Sequence, residues 1–299
     1  RQRQMCIRDR TTAVGDLTIG ASGTGAITLS GNVGADATTA GAAVVAIGNA
    51  DTASITFGGV EFTTSDTQTF IADAYAINGT DSTFSSSNDN IKFTDGGADG
   101  EIVLADAADL TITTEVGGSG GGTITVEVPI LGTAGSVATD VTMTGGSGAI
   151  SVEDMGTDIN DISLTTTGTI SLNGTYTTSI LSSGNADVGD VTLTGPVTLA
   201  GNTTIDTDSS NGTVGFTSTV DGGNTLTISS GSGTVDFAGN IGATTALGDV
   251  DINSSSGTGT IDIEQIGDAD NAGGIIGTVA IGNSTTCLLY TSDAADEGL

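Results

Sequence analysis

The sequence is poor in the residues on which most enzymes and nucleic-acid-binding proteins depend. It has no histidine, no tryptophan, two prolines, two cysteines and five basic residues against 36 acidic ones, for a net charge of −31. Both cysteines, Cys6 and Cys287, lie near the ends, so the body of the chain has no disulfide framework and no zinc site. Without histidine or an internal cysteine, nucleophilic catalysis through either residue is excluded there as well.

The charge is of one sign along the whole body of the chain. Lys92 is the single basic residue between positions 11 and 286. Because a chain of this charge repels nucleic-acid phosphates and anionic membrane surfaces, we expect no nucleic-acid partner. No apolar run approaches the ~20 residues that a membrane helix needs, so we expect no membrane insertion.

Both ends of the sequence resemble translated sequencing adapter. Codons for Met5–Asp9, ATGTGTATAAGAGAC, are contained in the reverse complement of codons for Cys287–Ser292, TGTCTCTTATACACATCT. Two unrelated tails have no reason to be related in this way. We therefore interpret residues 1–10 and 287–299 as unstructured, adapter-derived tags. We expect residues 11–286 to be an internal fragment of a longer protein and to form a single repeat region.

What the chain has in abundance is glycine, 48 residues of 299, placed between short stretches of alternating apolar and other residues. One stretch occurs twice, as GTGAITLSGNVGA at Gly23–Ala35 and as GSGTVDFAGNIGA at Gly231–Ala243. In the second copy Val235 and Phe237 alternate with Asp236 and Ala238, which is the pattern of a short strand with one apolar face. The glycines on either side indicate turns.

The second half of the chain repeats one pattern, an aspartate followed by an alternating strand. The units begin at Asp140, Asp161, Asp190 and Asp249, and Asp16 belongs with them. The spacing between units is irregular, but a parallel β-helix tolerates this, because loops of varied length leave one corner of each coil. The six-residue period of the left-handed kind is absent. We predict an all-β, right-handed parallel β-helix, or β-solenoid, with irregular coils in the twenties of residues.

An array of β-sandwich domains is the alternative fold, although sandwich cores usually hold large aromatics and aromatic residues are only 3% of this chain. Two segments break the pattern. The alternation loosens between residues 65 and 90, which predicts an irregular coil with a protruding loop. The run GGSGGG at Gly117–Gly122 has the composition of a linker, but no shift in composition accompanies it, so we interpret it as a wide turn of the solenoid.

Two long runs, GDVTLTGPVTLAGNTTID at Gly189–Asp206 and TVDFAGNIGATTALGDVDI at Thr234–Ile252, carry a resemblance to a known family. They resemble the repeat region of filamentous-haemagglutinin-like exoproteins, and degenerate repeats extend the resemblance over most of residues 11–286. The resemblance implies a right-handed β-helical shaft, an extracellular or bacterial cell-surface location, and a structural or adhesive role without catalysis. The implied partners are glycans or proteins on host or neighbouring cells, bound through weak multivalent contacts.

Two other functions are open on the sequence alone. Clustered aspartates on a β-helix can cleave polysaccharide, and the candidates are Asp154, Asp158 and Asp161, or Asp206 and Asp208. Such chemistry needs two carboxyl groups about 5–10 Å apart, one of them with a raised pKa, whereas isolated aspartates are typical of turns. A component of a surface layer or biofilm matrix is the third alternative.

Calcium is the one cofactor that the sequence suggests. Asp16, Asp140, Asp190 and Asp249 recur at the same place in their units, and hard carboxylate oxygens suit Ca²⁺. A further acidic turn is formed by Asp268, Asp270 and Asn271. The calcium-binding nonapeptide repeat and the EF-hand loop are both absent, and screening by bulk cations is the simpler interpretation. We therefore assign no catalytic, cofactor-binding or metal-binding residue.

Overall fold

The computed structural model describes residues 15–20, 25–34, 43–79, 81–97, 100–115, 120–135, 138–179, 189–253, 255, 257–268 and 273–283, and the backbone of 287–290. Within these residues the secondary structure consists of strands, without a helix. The strands are β1 (Leu17–Ile19), β2 (Ala26–Leu29), β3 (Val45–Gly48), β4 (Ser54–Phe57), β5 (Glu61–Thr64), β6 (Gln68–Ala72), β7 (Tyr75–Ile77), β8 (Ser82–Ser86), β9 (Ile91–Asp95), β10 (Ile102–Leu104), β11 (Leu110–Thr113), β12 (Ile124–Val126), β13 (Ile130–Gly132), β14 (Val141–Thr144), β15 (Ile150–Val152), β16 (Met155–Gly156), β17 (Ile162–Thr165), β18 (Ile170–Thr177), β19 (Val191–Thr194), β20 (Val197–Asp206), β21 (Val214–Phe216), β22 (Val220–Asp221), β23 (Leu226–Ser229), β24 (Val235–Ile241), β25 (Val250–Ile252), β26 (Thr260–Ile266), β27 (Val279–Ile281) and β28 (Cys287–Tyr290).

The chain passes in turn through three parallel ladders, named faces A, B and C. Face A contains β1, β3, β6, β9, β12, β15 and β22, the starts of β18 and β20, and the ends of β24 and β26. Face B contains β2, β4, β7, β10, β13, β16, β23, β25 and β27, with the ends of β18 and β20. Face C contains β5, β8, β11, β14, β17, β19, β21 and β28, with the starts of β24 and β26. The predicted β-solenoid is confirmed.

Each strand pairs with strands one coil before and one coil after it, and every pairing between the described strands is parallel. The sandwich alternative is therefore wrong, because sandwiches are built from antiparallel strands joined by hairpins and Greek-key connections. Coil length follows from the register. Ile150 stacks on Ile170 and Ile91 stacks on Ile124, so the coil that begins at Ile91 is much the longer of the two. The ladder register is kept, and the corners between strands absorb most of the difference.

The core is a set of apolar columns inside the coil. In β14, for example, Val141 and Met143 are fully buried while Thr142 and Thr144 are partly exposed. Burying one such apolar side chain contributes about 1.5–3 kcal/mol. A single coil buries too few side chains to fold alone. Stacking coils in register buries both sides of every apolar layer, so the fold becomes stable only as a stack.

Aromatic rings fill the interior of the first third of the stack. Phe57, Phe62, Phe70, Phe84 and Phe93 are all fully buried. Their ring centroids lie 4.8 to 6.4 Å apart, mostly edge to face. Edge-to-face pairs of this kind contribute about 0.5–1.5 kcal/mol beyond the area that they bury.

The irregular coil predicted for residues 65–90 is wrong, because β6, β7 and β8 there pair in register with the coils on both sides. The alternation is obscured by polar residues at inward positions. Gln68 is fully buried, and its Nε2 donates to the carbonyl oxygens of Phe62 at 3.2 Å and Ser85 at 2.7 Å. The Oε1 of Gln68 is buried without a hydrogen-bond partner, so the bonds of Nε2 offset only part of the cost of placing this amide in the core.

The glycine-rich run around residue 120 does not interrupt the ladder, since β12 pairs with β9 before the run and with β15 after it. Residues 116–119 lie outside the described part of the chain. Gly121 and Gly122 lie so close to neighbouring backbone that an added Cβ would overlap it, at Gly145 and Asp89 respectively. These two glycines therefore serve close packing of successive corners.

The end of the chain differs in part from the unstructured tag expected for residues 287–299. The backbone of Cys287–Tyr290 forms β28, which pairs with β26. The last rung of a parallel ladder presents unpaired N–H and C=O groups to any extended segment that follows, and this explains the pairing without any specific sequence. The expectations for residues 1–10 and 291–299 fall outside the described residues.

Candidate functional site

Face C carries a motif that is repeated in five consecutive coils. Each copy reads aspartate, inward residue, threonine or serine, inward residue, threonine or serine, and the copies begin at Asp81, Asp109, Asp140, Asp161 and Asp190. The inward residues are buried, and the other three positions of each copy alternate with them on the outer side, where Ser85 is the one member that is also buried. The outer surface of this face is therefore built from three columns of short polar side chains.

The strand register aligns the columns without a shift. Ser82, Leu110, Val141, Ile162 and Val191 are successive partners along the ladder. We call the first column the aspartate row (Asp81, Asp109, Asp140, Asp161 and Asp190). We call the other two the hydroxyl ranks, the first containing Thr83, Thr111, Thr142, Ser163 and Thr192 and the second containing Ser85, Thr113, Thr144, Thr165 and Thr194.

The aspartate row is a chain of hydrogen bonds from coil to coil. The backbone N–H of Asp140 donates to Oδ1 of Asp109 at 2.9 Å, and that of Asp161 donates to Oδ1 of Asp140 at 3.1 Å. The N–H of Asp190 donates to Oδ1 of Asp161, and the N–H of Thr213 to Oδ1 of Asp190, both at 2.6 Å. Hydrogen bonds to a carboxylate are stronger than those between neutral groups. The row therefore fastens each corner to the one before it.

Stacking carboxylates also has a cost, which is seen at Asp109. Burial raises the pKa of this carboxyl above its ordinary 3.8, the negative charges of Asp140 and Asp81 raise it further, and the N–H of Asp140 opposes them. On face A, burial and the charges of Asp154 and Glu127 raise the pKa of Glu153 in the same direction. Both carboxyl groups hold their protons more firmly in the folded protein than in the unfolded chain.

These shifts predict a contribution to stability that is present near pH 4 and is lost as pH rises through the folded-state pKa values of Asp109 and Glu153. A raised folded-state pKa means that the folded protein retains a proton where the unfolded chain has lost it, so the stabilisation is present at low pH and is lost as pH rises through the folded pKa. Replacing Asp109 by asparagine keeps an oxygen to accept the N–H of Asp140 but removes the charge. We expect Asp109→Asn to raise Tm at pH 7 and to flatten the dependence of Tm on pH, measured by circular dichroism at low salt.

Asp51→Asn is the matched control, because Asp51 lies exposed in a turn outside the row. It should leave the pH dependence of Tm as it is in the parent protein. A pH profile for Asp109→Asn that superimposes on that of the parent would show that the row is not under electrostatic strain.

One cleft, of about 220 Å³, lies beside the second hydroxyl rank. It is lined by Glu115, Gly120, Thr144, Gly146, Ser147, Thr165, Thr166, Thr167 and Thr194. Its lining offers hydroxyl and backbone groups and a single carboxylate, from Glu115. A paired-carboxylate mechanism needs a second acid within about 10 Å, and the lining of this cleft does not supply one.

The carboxylates that the sequence suggested for polysaccharide cleavage are dispersed among different structural elements. Asp154 lies between faces A and B, where its Oδ1 accepts the backbone N–H of Thr175. Asp158 lies in the following corner, and Asp161 belongs to the aspartate row. Asp206 ends β20, and its Oδ1 accepts the N–H of Asp208 at 3.0 Å, which is the geometry of a turn.

The aspartates suggested for calcium lie on all three faces. Asp140 and Asp190 both lie in the aspartate row of face C, separated by Asp161. Asp16 precedes β1 on face A, and Asp249 precedes β25 on face B, where its Oδ1 accepts the N–H of Thr278 at 2.6 Å. Among the described residues no group of three or more acidic, histidine or cysteine side chains is placed to hold a metal ion. Of the predicted acidic turn, Asp270 and Asn271 lie outside the described residues.

Sequence reasoning missed Asp81 and Asp109 as members of the row. Both precede a strand with the same alternation as Asp140, so the signal was present in the sequence. Asp109 was overlooked because the spacing from Leu110 to its ladder partner Val141 is longer than the spacings between the next units. Asp81 falls in the segment whose alternation is obscured by buried serines.

Comparison with known proteins adds no relative to this picture: no family model, curated protein or solved structure matches the chain. The described residues also contain no helix with the length and apolar character to cross a membrane.

Proposed function

We propose that this chain is a structural and adhesive shaft segment of a secreted or surface-displayed bacterial exoprotein, and that it carries no catalytic activity of its own. The observation that supports this function is the continuity of the ladder, which runs from β1 to β28 on the same three faces. The proposal rests also on the resemblance of Gly189–Asp206 and Thr234–Ile252 to filamentous-haemagglutinin-like exoproteins.

The bonding pattern suits a shaft because it runs along the stack. Backbone N–H groups of one coil donate to carbonyl oxygens of the next on each face, as at Ile162 to Asp190 and Ile170 to Pro196. Side chains repeat this connection at the corners through the aspartate row. A structure whose rungs are joined by several hydrogen bonds on every face resists bending and separates its two ends by a fixed distance.

The long faces suit adhesion through many weak contacts. On face C, five consecutive coils present nearly the same outer residues, so any group that binds one of these coils weakly finds equivalent positions on the next ones. Such multivalent contact can raise avidity by about 10²–10⁴ over a single contact without any deep pocket. The partners that fit are glycans or proteins of host or neighbouring cells, in an extracellular or cell-surface setting.

Binding to cells as a function of valency tests this proposal. The full chain, biotinylated at an added terminal tag, is compared as a monomer and as a streptavidin tetramer on intact bacterial and host cells. We expect weak retention of the monomer and retention of the tetramer that is higher by about 100-fold or more. Equal retention of the two forms would contradict multivalent adhesion, and release of reducing sugar from cell-surface polysaccharide would contradict a shaft without catalysis.

A further inference from the structure

The two hydroxyl ranks of face C form an uncharged surface on a strongly acidic protein. The strands that carry them, β8, β11, β14, β17 and β19, contain no charged residue. On face A, by contrast, the outward positions of the same coils include Lys92, which pairs with Glu127 at 2.7 Å, and Glu153. The first rank's own column becomes charged only beyond the five coils, at Glu61 and Asp236. The ranks themselves are uncharged over five coils, with the aspartate row along one edge, and an uncharged strip of this kind fits a partner that is itself uncharged.

Most of these hydroxyl groups are not used by the protein. Ser85 and Thr113 take part in hydrogen bonds with neighbouring protein groups. Within the described part of the chain, the other eight members form no side-chain hydrogen bond to the protein. They are Thr83, Thr111, Thr142, Thr144, Ser163, Thr165, Thr192 and Thr194. Their hydroxyl groups are therefore directed to the solvent and are free to bind ordered water.

The ranks are also rigid, because seven of these eight residues are threonines held at fixed strand positions. A β-branched side chain has few χ1 rotamers, so its hydroxyl and methyl groups are positioned before any ligand arrives. The strand beneath each threonine is anchored by a buried neighbour, such as Met143 between Thr142 and Thr144. Binding to this surface therefore costs little conformational entropy, because its side chains are already ordered before the partner arrives.

The spacing of the ranks matches a lattice of water. Successive strands of a sheet lie about 4.8 Å apart, so the hydroxyl groups recur at that distance along the stack. Hydrogen-bonded water oxygens lie about 2.75 Å apart, and at the tetrahedral angle two oxygens bound to a common neighbour are then about 4.5 Å apart. Threonine hydroxyl groups about 4.8 Å apart can take the places of water oxygens about 4.5 Å apart, with small adjustments of side-chain position over five coils.

We propose that the hydroxyl ranks of face C are an ice-binding surface. Ice is the uncharged partner whose repeat agrees with the rank spacing, and hydroxyl groups together with γ-methyl groups can be incorporated into its outermost layer. The hydroxyl groups replace lattice oxygens, and the methyl groups occupy gaps between them. This inference is independent of the shaft function, because it depends on one face over five coils and not on the length of the stack.

Partition into growing ice tests the proposal directly. Ice is grown slowly from a dilute solution of the full chain in low-salt buffer, with serum albumin as a protein that ice excludes, and the protein content of ice and liquid is compared. We expect the chain to be enriched in the ice, and single ice crystals in its presence to be faceted with a measurable thermal hysteresis. Exclusion of the parent chain to the same degree as albumin would overturn the proposal. Retention on crystalline cellulose or chitin combined with exclusion from ice would overturn it as well.

A matched pair of variants locates the surface. Thr142→Tyr places a ring in the middle of the first rank, and Thr125→Tyr places the same ring at a similar outward position on face A. Loss of a central anchor of an extended contact commonly weakens binding by about tenfold or more. We therefore expect the enrichment in ice to fall by about tenfold or more for Thr142→Tyr and to stay unchanged for Thr125→Tyr. Circular dichroism checks that both variants fold. If Thr142→Tyr does not fold, Thr192→Tyr, at the exposed end of the same rank, takes its place. Equal enrichment for the face C and face A variants would overturn the assignment.

Discussion

Replacing Phe57 by alanine is expected to lower the free energy of unfolding by about 4 kcal/mol, the middle of the range for buried aromatic truncations. The Phe57 ring is fully buried and meets four other rings edge to face, with centroid distances of 5.0 Å to Phe84, 5.4 Å to Phe70, 5.7 Å to Phe62 and 6.4 Å to Phe93. The rings come from three faces, so the cavity left by truncation cannot be closed by moving one strand. Urea unfolding, followed by circular dichroism, measures the loss.

Phe216→Ala is the comparison for this variant. Phe216 is equally buried but stacks on one ring, that of Phe237, at 4.5 Å and nearly parallel. We expect its loss to be smaller by about 1.5 kcal/mol or more, because Phe57 makes three more ring pairs and each contributes about 0.5–1.5 kcal/mol. Equal losses for the two variants would show that buried area alone, and not the arrangement of rings, determines the stability of this part of the core.

Replacing Gly233 by alanine is expected to destabilise the protein by about 3 kcal/mol, the upper part of the usual range for overpacking. A Cβ on Gly233 would overlap the carbonyl group of Gly212 in the preceding coil. The overlapping atoms belong to backbone, so no side-chain rotation can relieve the contact. Moving the corner would in turn disturb the hydrogen bond from the N–H of Gly233 to the carbonyl oxygen of Ser230 at 2.7 Å. Thermal and urea unfolding both measure the effect.

Gly215→Ala is the matched control, because Gly215 lies outward in β21 with nothing within 4 Å of an added Cβ. There a methyl group restricts the unfolded chain without any clash, and stability should be unchanged or rise by about 0.4–1 kcal/mol. If Gly233→Ala were as stable as Gly215→Ala, close packing of the corners would not be what selects glycine at position 233.

The strand positions could be predicted wherever the inward residues are all apolar. In β14, β17 and β19 the alternation is regular, and the aspartates Asp140 and Asp161 before the first two are found in one column as their spacing suggested. In β8 the same geometry is hidden, because Ser82 and Ser86 are buried there. A hydrophobic pattern identifies only the inward positions that hold apolar residues. Inward positions that hold a polar residue hydrogen-bonded to backbone do not show in the pattern.

The candidate site was predictable only in its parts. Rows of threonine along the outside follow from alternation, but their assembly into two uninterrupted ranks depends on which coil each strand joins. The pattern of an aspartate before a strand occurs at Asp16, Asp140 and Asp249, and the structure places these on faces A, C and B in that order. Only the members that reach face C in consecutive coils contribute to the aspartate row.

The sequence by itself determined that this protein is a stack of short parallel strands, because inward and outward residues alternate at strand period and glycines mark the turns between them. It did not determine on which face a given strand lies. The two copies of the glycine-rich repeat show this, since Ala26–Leu29 lies on face B and the equivalent Val235–Phe237 lies on face C. All three faces offer a strand the same buried side and the same solvent side, so local sequence is equally compatible with each. The face depends on the number of residues in the preceding corners, and it is set only when a strand pairs with a strand of the coil before it.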